Sequence, residues 1–223
     1  MMNKEYFLID ICGTIFNSNT TFDFLKFYFS KKHWYKILIM IRKIKILIII
    51  NAIFMRLFQI DLLRYWALTH LKGYTKEQLC SMSDIFYKEY LTKRTNIEAT
   101  EIIEKMKREN KELILVSATL DCIACAVSKN MNIPCVFSSK LAFKNNKCLG
   151  RLQQDLLANK LNALVDNKIN PPYWGIITDN YSDMALIKKS QHVFLVQYSN
   201  KKNYWKHLSD KQNIETKLIT IYE

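Results

Sequence analysis

The apolar positions along this chain follow two different periods. Residues 5–10, "EYFLID", form a short unbroken apolar run that stops at an aspartate, the pattern of a buried strand. From residue 20 to 95 the spacing is helical almost throughout, in "TFDFLKFYFSKK", "HWYKILIMIRKIKILIIINAIFMRLF", "DLLRYWALTHL" and "TKEQLCSMSDIFYKEYL". Gly73 separates the third segment from the fourth, and Thr75 with Gln78 three residues on forms a capping box. The second segment is the most apolar, but its longest uncharged run is the ten residues Ile46 to Met55. A bilayer span needs about 20. The segment is read as a buried helix of a small bundle. A second reading lays it on a membrane or partner surface, with Lys36, Arg42, Lys43 and Lys45 near the headgroups.

Beyond residue 96 strands and helices alternate. An amphipathic helix over 97–110 leads into "ELILVSAT", a second strand that ends in Ser117 and Thr119. A helix over 121–131 precedes "IPCVF", a third strand, and "SSKLAFKNNKCLGRL" alternates around "KNNK" like a small hairpin. Residues 155–168 read as a helix carrying Lys160; "WGIITDN" is a fourth main strand ending in Asp179, and "HVFLVQ" a fifth. This alternation predicts an α/β fold, a Rossmann-like and mostly parallel sheet with right-handed crossovers. The helical block interrupts it after the first strand, so residues 1–16 and 96–223 are expected to form a core and 17–95 an inserted unit.

Composition narrows the function. The chain is 49% hydrophobic and carries a formal net charge of +13, which suits anionic partners. No Lys/Arg block is dense, and the aromatics sit in apolar helices rather than among basic residues on a strand face, so nucleic acid is not an expected partner. The glycines are Gly13, Gly73, Gly150 and Gly175. They are too sparse for a P-loop, a dinucleotide fingerprint or a G-x-S-x-G elbow. Of the six cysteines, Cys12, Cys122, Cys125 and Cys135 lie in apolar stretches, as reduced buried thiols do. Cys122-x-x-Cys125 has no nearby Cys or His to complete a metal site. No signal-peptide pattern precedes the first strand, and a reducing cytoplasm is the expected compartment.

Three strands end in polar groups: Asp10, Ser117 and Asp179. In a parallel sheet these ends share one edge, where ligands bind. Lys160 begins a helix leading back to the sheet, and Asp183 follows Asp179 by about one turn. Two carboxylates with waters make a hard oxygen site suited to Mg²⁺. A lysine and a serine hydroxyl bind phosphate oxygens, and the turn after Cys12 offers backbone amides to an oxyanion.

These residues resemble the motifs of haloacid dehalogenase (HAD) superfamily phosphatases, in the phosphoserine-phosphatase-like branch (subfamily IB). "DICGT" is similar to the first motif, "LILVSAT" to the second, Lys160 in "LANKLNAL" to the third, and "TDNYSDMALI" to the fourth. The stretch "FSSKLAFKNNKCLGRL" resembles the hairpin that this branch carries before its lysine. The resemblance implies that Asp10 attacks phosphorus to form an aspartyl-phosphate. It implies Mg²⁺ held by Asp10, the Cys12 carbonyl and Asp179, with Asp183 completing the site through water or by positioning Lys160. Ser117 and Lys160 would bind the phosphoryl group, Gly13 and Thr14 would build the phosphate turn, and Thr119 would line the pocket. The helical insertion would be a cap that closes over the site and chooses the substrate. Asn19, Thr20, Asp23 and Arg56 are its candidates to reach the pocket.

One position departs from the pattern. Most members of the family have a second aspartate where this chain has Cys12, and that acid–base group contributes about 10²–10⁴-fold in rate. A thiol of ordinary pKa about 8.5 beside a phosphate dianion stays protonated, a weak acid and a poor base. The expectation is a Mg²⁺-dependent phosphomonoesterase, slowed by this change, acting on a small phosphorylated alcohol, amino alcohol, amino acid or sugar. The alternatives are a phosphotransferase and a non-catalytic phosphate-binding protein at a membrane surface. The Ile- and Phe-rich cap is also compatible with a homodimer.

Overall fold

The computed structural model describes residues 4–198, 205 and 215–221. The first strand, β1 (Tyr6–Ile9), lies at the centre of a seven-stranded sheet. Its partners are β2 (Glu112–Leu120), β3 (Cys135–Lys144), β4 (Lys147–Gln154), β5 (Tyr173–Thr178), β6 (Ser190–Tyr198) and β7 (Glu215–Ile221). The order across the sheet is β4-β3-β2-β1-β5-β6-β7. Every neighbouring pair is parallel except the β3–β4 hairpin, whose turn residues Asn145 and Asn146 both take positive φ. The chain therefore adopts the expected α/β class with a mostly parallel sheet.

The strand period sorts the core into two layers. Phe7 and Ile9 join one face, with Leu115 and Ile177, and Leu8 joins the other, with Ile114, Val116 and Ile176. Helices cover both faces, which is why the central strands are apolar at successive positions rather than alternating. Helices α6 (Ile97–Arg108) and α7 (Asp121–Met131) pack on the first layer, and α8 (Lys160–Asp166) and α9 (Met184–Ile187) on the second.

Between β1 and α6 lie five α-helices: α1 (Thr20–Phe29), α2 (His33–Ile41), α3 (Lys45–Phe58), α4 (Leu62–Leu68) and α5 (Lys76–Phe86). The capping box at Thr75 and Gln78 is formed. The chain enters and leaves this block through one paired crossing: the Asn17 amide donates to the Arg94 carbonyl at 2.8 Å, and the Asn96 amide to the Ile15 carbonyl at 2.7 Å. The β3–β4 hairpin reaches the block from the other side, where Gly73 and Cys148 are joined at 2.8 Å.

Three local expectations are corrected, and one strand was not expected. The helix expected over 155–168 starts only at Lys160. Residues 155–159 form a turn in which the Asp155 carboxylate accepts from the Leu157 amide at 3.0 Å and Ala158 takes φ +59°. Strand β7 lacked a sequence signal, because a lone edge strand has no long apolar run. Cys125 is exposed while Cys122 is buried, since positions three apart on α7 need not share its buried stripe. The apolar α3 is not a buried helix: none of its described side chains is buried, and Ile46 is 64% exposed. No helix among the described residues is long and apolar enough to cross a membrane.

Candidate active site

The carboxyl ends of β1, β2 and β5 converge as parallel strands must. Asp10 follows β1 directly, and its amide still donates to the Ile177 carbonyl of β5 at 3.0 Å. Its carboxylate is buried and meets Lys160 Nζ at 2.9 Å through Oδ1. Lys160 opens α8, and its ammonium also donates to Asp183 Oδ2 at 2.7 Å. Burial works against the lysine's charge, but the two carboxylates outweigh it and hold its pKa above the ordinary lysine value. Burial raises Asp183, and the Lys160 charge pulls it back. Asp183 Oδ2 also accepts from the Thr178 hydroxyl at 2.7 Å, whereas Oδ1 is buried with no partner among the described residues.

Thr14 ties the two main carboxylates together. Its hydroxyl lies 3.5 Å from Asp10 Oδ2 and 3.3 Å from Asp179 Oδ1, and accepts from the Asp179 amide at 2.9 Å. The turn that puts Thr14 there depends on Gly13, whose φ is +74°. A Cβ on Gly13 would fall 2.2 Å from the Asp179 carboxylate, so glycine is required for both backbone and space. The Gly13 carbonyl accepts from the Tyr198 hydroxyl at 2.7 Å.

The remaining predicted residues close the site. Ser117 is fully buried, and its Oγ accepts from the Thr119 amide at 3.4 Å, just where the β2–β3 register shifts. Thr119 is hydrogen-bonded to Thr20 of α1. The Cys12 thiol donates to the Ser18 carbonyl at 3.2 Å. Burial, with the negative charges of Asp10 and Asp179, pushes its pKa up to about 12.

A cavity of about 400 Å³ lies over these groups. Asp10, Cys12, Ser117, Thr119, Lys160 and Asp179 line it, with Asn19 and Thr20 from the cap candidates and Asn180, the neighbour of Asp179. Gly13, Thr14 and Asp183 are not on its wall and act from behind it. Asp23 is turned away, accepting from the Ser18 hydroxyl at 2.7 Å, and the Arg56 side chain lies outside the described residues. The wall also includes residues that no motif announced. Arg64 of α4 donates to Asp155 at 2.8 Å and to the Ala118 carbonyl at 2.6 Å. Met55, Asp61, Gln197 and Trp205 face the same space. Their only sequence signal was proximity to the elements that end there.

The donor set fits a magnesium ion. Asp10 and Asp179 present oxygens to one shared hydroxyl, and Gly13 has no side chain to fill the space against Asp179. Among the described residues no three His, Cys, Asp or Glu side chains form a ligand cluster. Mg²⁺ does not need one, since it commonly takes one or two carboxylates and keeps its waters.

Fold and site together define an α/β protein with a carboxylate–lysine centre at the carboxyl edge of its sheet. Residues 7–188 match the family model of haloacid dehalogenase-like hydrolases, and the chain belongs to that family. No curated protein sequence matches it. Among solved structures, a phospho-aspartyl intermediate analogue of phosphoserine phosphatase superposes with a TM-score of 0.61 at 17% identity, covering 96% of this chain and 93% of that one. A phosphoserine phosphohydrolase-like protein from Francisella tularensis gives 0.61 at 15% identity, covering 96% and 94%. Cytosolic 5'-nucleotidase IIIB bound to cytidine gives 0.58 at 12% identity, covering 97% and 80%. At these identities the likeness is one of fold.

Proposed function

We propose that the protein is a Mg²⁺-dependent phosphomonoester hydrolase working through an aspartyl-phosphate on Asp10. The observation that carries this reading is the Asp10 carboxylate, buried at the base of the cavity with Oδ1 engaged by Lys160 and Oδ2 only weakly held by Thr14. In this reading Oδ2 attacks phosphorus, the bond from phosphorus to the alcohol oxygen breaks, and water then attacks the acyl phosphate to restore Asp10 and release phosphate. Lys160 and the Ser117 hydroxyl bind the phosphoryl oxygens and offset their growing charge. Asp183, behind Lys160 and bonded to Thr178, takes the role of positioning that lysine. Asp10, the Cys12 carbonyl and Asp179 would hold Mg²⁺, which when bound neutralises charge on the transferring group.

The Cys12 thiol, protonated and facing the Ser18 carbonyl, does not act as base, so water takes and gives the protons and turnover is slow. Residues 17–95 serve as a cap on the core of 1–16 and 96–223, and the substrate is a phosphorylated alcohol, amino alcohol, amino acid or sugar. Six unpaired cysteines suit a reducing compartment such as the cytoplasm. The test is phosphate release from a panel of such substrates with Mg²⁺. Release should be lost with chelator and fall at least about 10³-fold in Asp10→Asn, as for loss of a nucleophile. Release that survives the substitution refutes the assignment.

A further inference from the structure

Helix α3 is out of keeping with the rest of the fold. The ten residues from Ile46 to Met55 carry no charge, yet Ile46 and Ile49 are 64% and 58% exposed, as are Leu57 and Phe58 just beyond the run at 67% and 60%. Among its described side chains only Leu47, Asn51 and Phe54 are half-buried, a narrow stripe at helical spacing. Through it Asn51 donates to Asp61 at the start of α4 at 3.2 Å. An apolar surface of this extent marks an interaction site rather than a solvated face.

Charge identifies the partner. From Phe24 to Ile60 the chain holds eight lysines and arginines and no aspartate or glutamate. Arg42, Lys43 and Lys45 are exposed in and beside the turn that opens α3. Apolar side chains flanked by cations with no acid among them complement the headgroup layer of an anionic bilayer, where each cation adds attraction. A second copy of the chain would bring the same positive rim against itself across a two-fold axis. With 14 residues, α3 is about 21 Å long, too short to cross the hydrocarbon and long enough to lie along it.

Position connects this surface to the cavity. Met55 of α3 is 40% exposed and also lines the cavity that holds Asp10 and Lys160. Asp61 and Arg64, which follow α3 in the chain, line the same wall. The exposed apolar face thus continues to the cavity's edge.

We propose that α3 lies in the headgroup layer of an anionic bilayer and that the cavity takes its phosphomonoester from a lipid resident there. The lipid assignment rests on the phosphatase reading; the docking does not. It narrows the phosphorylated alcohol to one that carries an apolar tail, with the phosphate at Asp10 and the tail leaving past Met55.

The test uses the full chain with two kinds of vesicle: phosphatidylcholine alone, and phosphatidylcholine with about one-third phosphatidylglycerol and a little phosphatidic acid as the phosphomonoester. Flotation at about 0.05 M salt should be about tenfold or more greater with the anionic vesicles, and should weaken at about 0.5 M. Ile49→Glu with Ile53→Glu, both on exposed positions, should abolish flotation while leaving the melting temperature near that of the unchanged chain. Mg²⁺-dependent release from vesicle phosphatidic acid should fall about tenfold in that variant, while release from dissolved glycerol 3-phosphate stays the same. No flotation of the unchanged chain overturns the docking, as does a dimer that the double variant dissociates. Flotation with release from the dissolved substrate alone overturns the lipid assignment and leaves the phosphatase reading standing. Flotation with no release from either substrate supports the docking and counts against the phosphatase reading and the lipid assignment together.

Discussion

Cys12 is where this chain differs most from the pattern its other motifs follow, and the structure gives the difference a physical form. The thiol points at the Ser18 carbonyl, is half-buried on the cavity wall, and sits in the negative field of Asp10 and Asp179. Each influence favours the neutral form, so the side chain holds its proton across the physiological range. A carboxylate there titrates within reach of neutral pH and can give and take protons. Cys12→Asp should therefore raise kcat for phosphate release, by about 10²-fold if acid–base help is the missing element. Single-turnover measurements would show whether the gain falls on formation or hydrolysis of the aspartyl-phosphate. A fall in kcat would mean that the thiol supports the turn in a way a carboxylate cannot. Asp10, Ser117 and Asp179 were legible because they sit at strand ends that apolar periodicity marks, whereas Lys160 was legible through its motif, since periodicity placed the start of its helix five residues too early. Thr14 was legible only as part of a turn. That its hydroxyl bridges Asp10 and Asp179, residues 169 positions apart, is a result of the fold.

Among the elements, α4 does what no pattern in its sequence suggests. Its Arg64 is buried and joins the helical block to the core through Asp155, in the turn before α8, and through the Ala118 carbonyl between Ser117 and Thr119. Asp155 is also fixed by the Ser139 hydroxyl at 3.0 Å and by the Leu157 amide. Arg64→Met would leave this partly buried carboxylate without its cation, at a cost of about 2–3 kcal/mol, below that of a fully buried pair. The denaturant midpoint should drop accordingly, and Asp155→Asn added to the same chain should recover part of the loss. If Arg64→Met costs under about 0.5 kcal/mol, the pair does not anchor the block. The same network explains the late start of α8: Asp155 commits Oδ1 to the Leu157 amide of the turn and to Arg64, so the helix begins later than the apolar spacing does. For α3, periodicity correctly indicated a helix but not its burial, because an all-apolar helix fits a core and an interface equally well.

At the scale of the whole molecule, one continuous apolar cluster runs from the sheet into the helical block and includes Cys122. Burial pushes the Cys122 thiol up to about 12, well above the ordinary thiol range. The thiolate is the reactive form, so at pH 8 very little of Cys122 is available in the folded protein, whereas an unfolded chain ionises with the lower, ordinary value. Iodoacetamide at pH 8 should label the exposed Cys125 quickly and Cys122 only at the rate of global opening. Mass spectrometry of timed samples reads the two sites separately. Comparable rates would show that α7 opens locally and that this part of the cluster is not held by the whole fold.

The sequence by itself determined the class of fold, the order of its elements as far as β6 and the residue types of the candidate site. Each of these is local: strand and helix periods, capping residues, and polar groups placed where apolar runs stop. Only the tertiary structure decided which of those groups meet. Lys160 could not be seen between Asp10 and Asp183, nor Arg64 on the cavity wall, since chain segments 91 or 150 residues apart become neighbours only when the sheet closes. It also decided that α3 faces outward. Hydrophobicity states what a side chain avoids, and only packing shows whether the protein itself has met that demand or has left it to a partner.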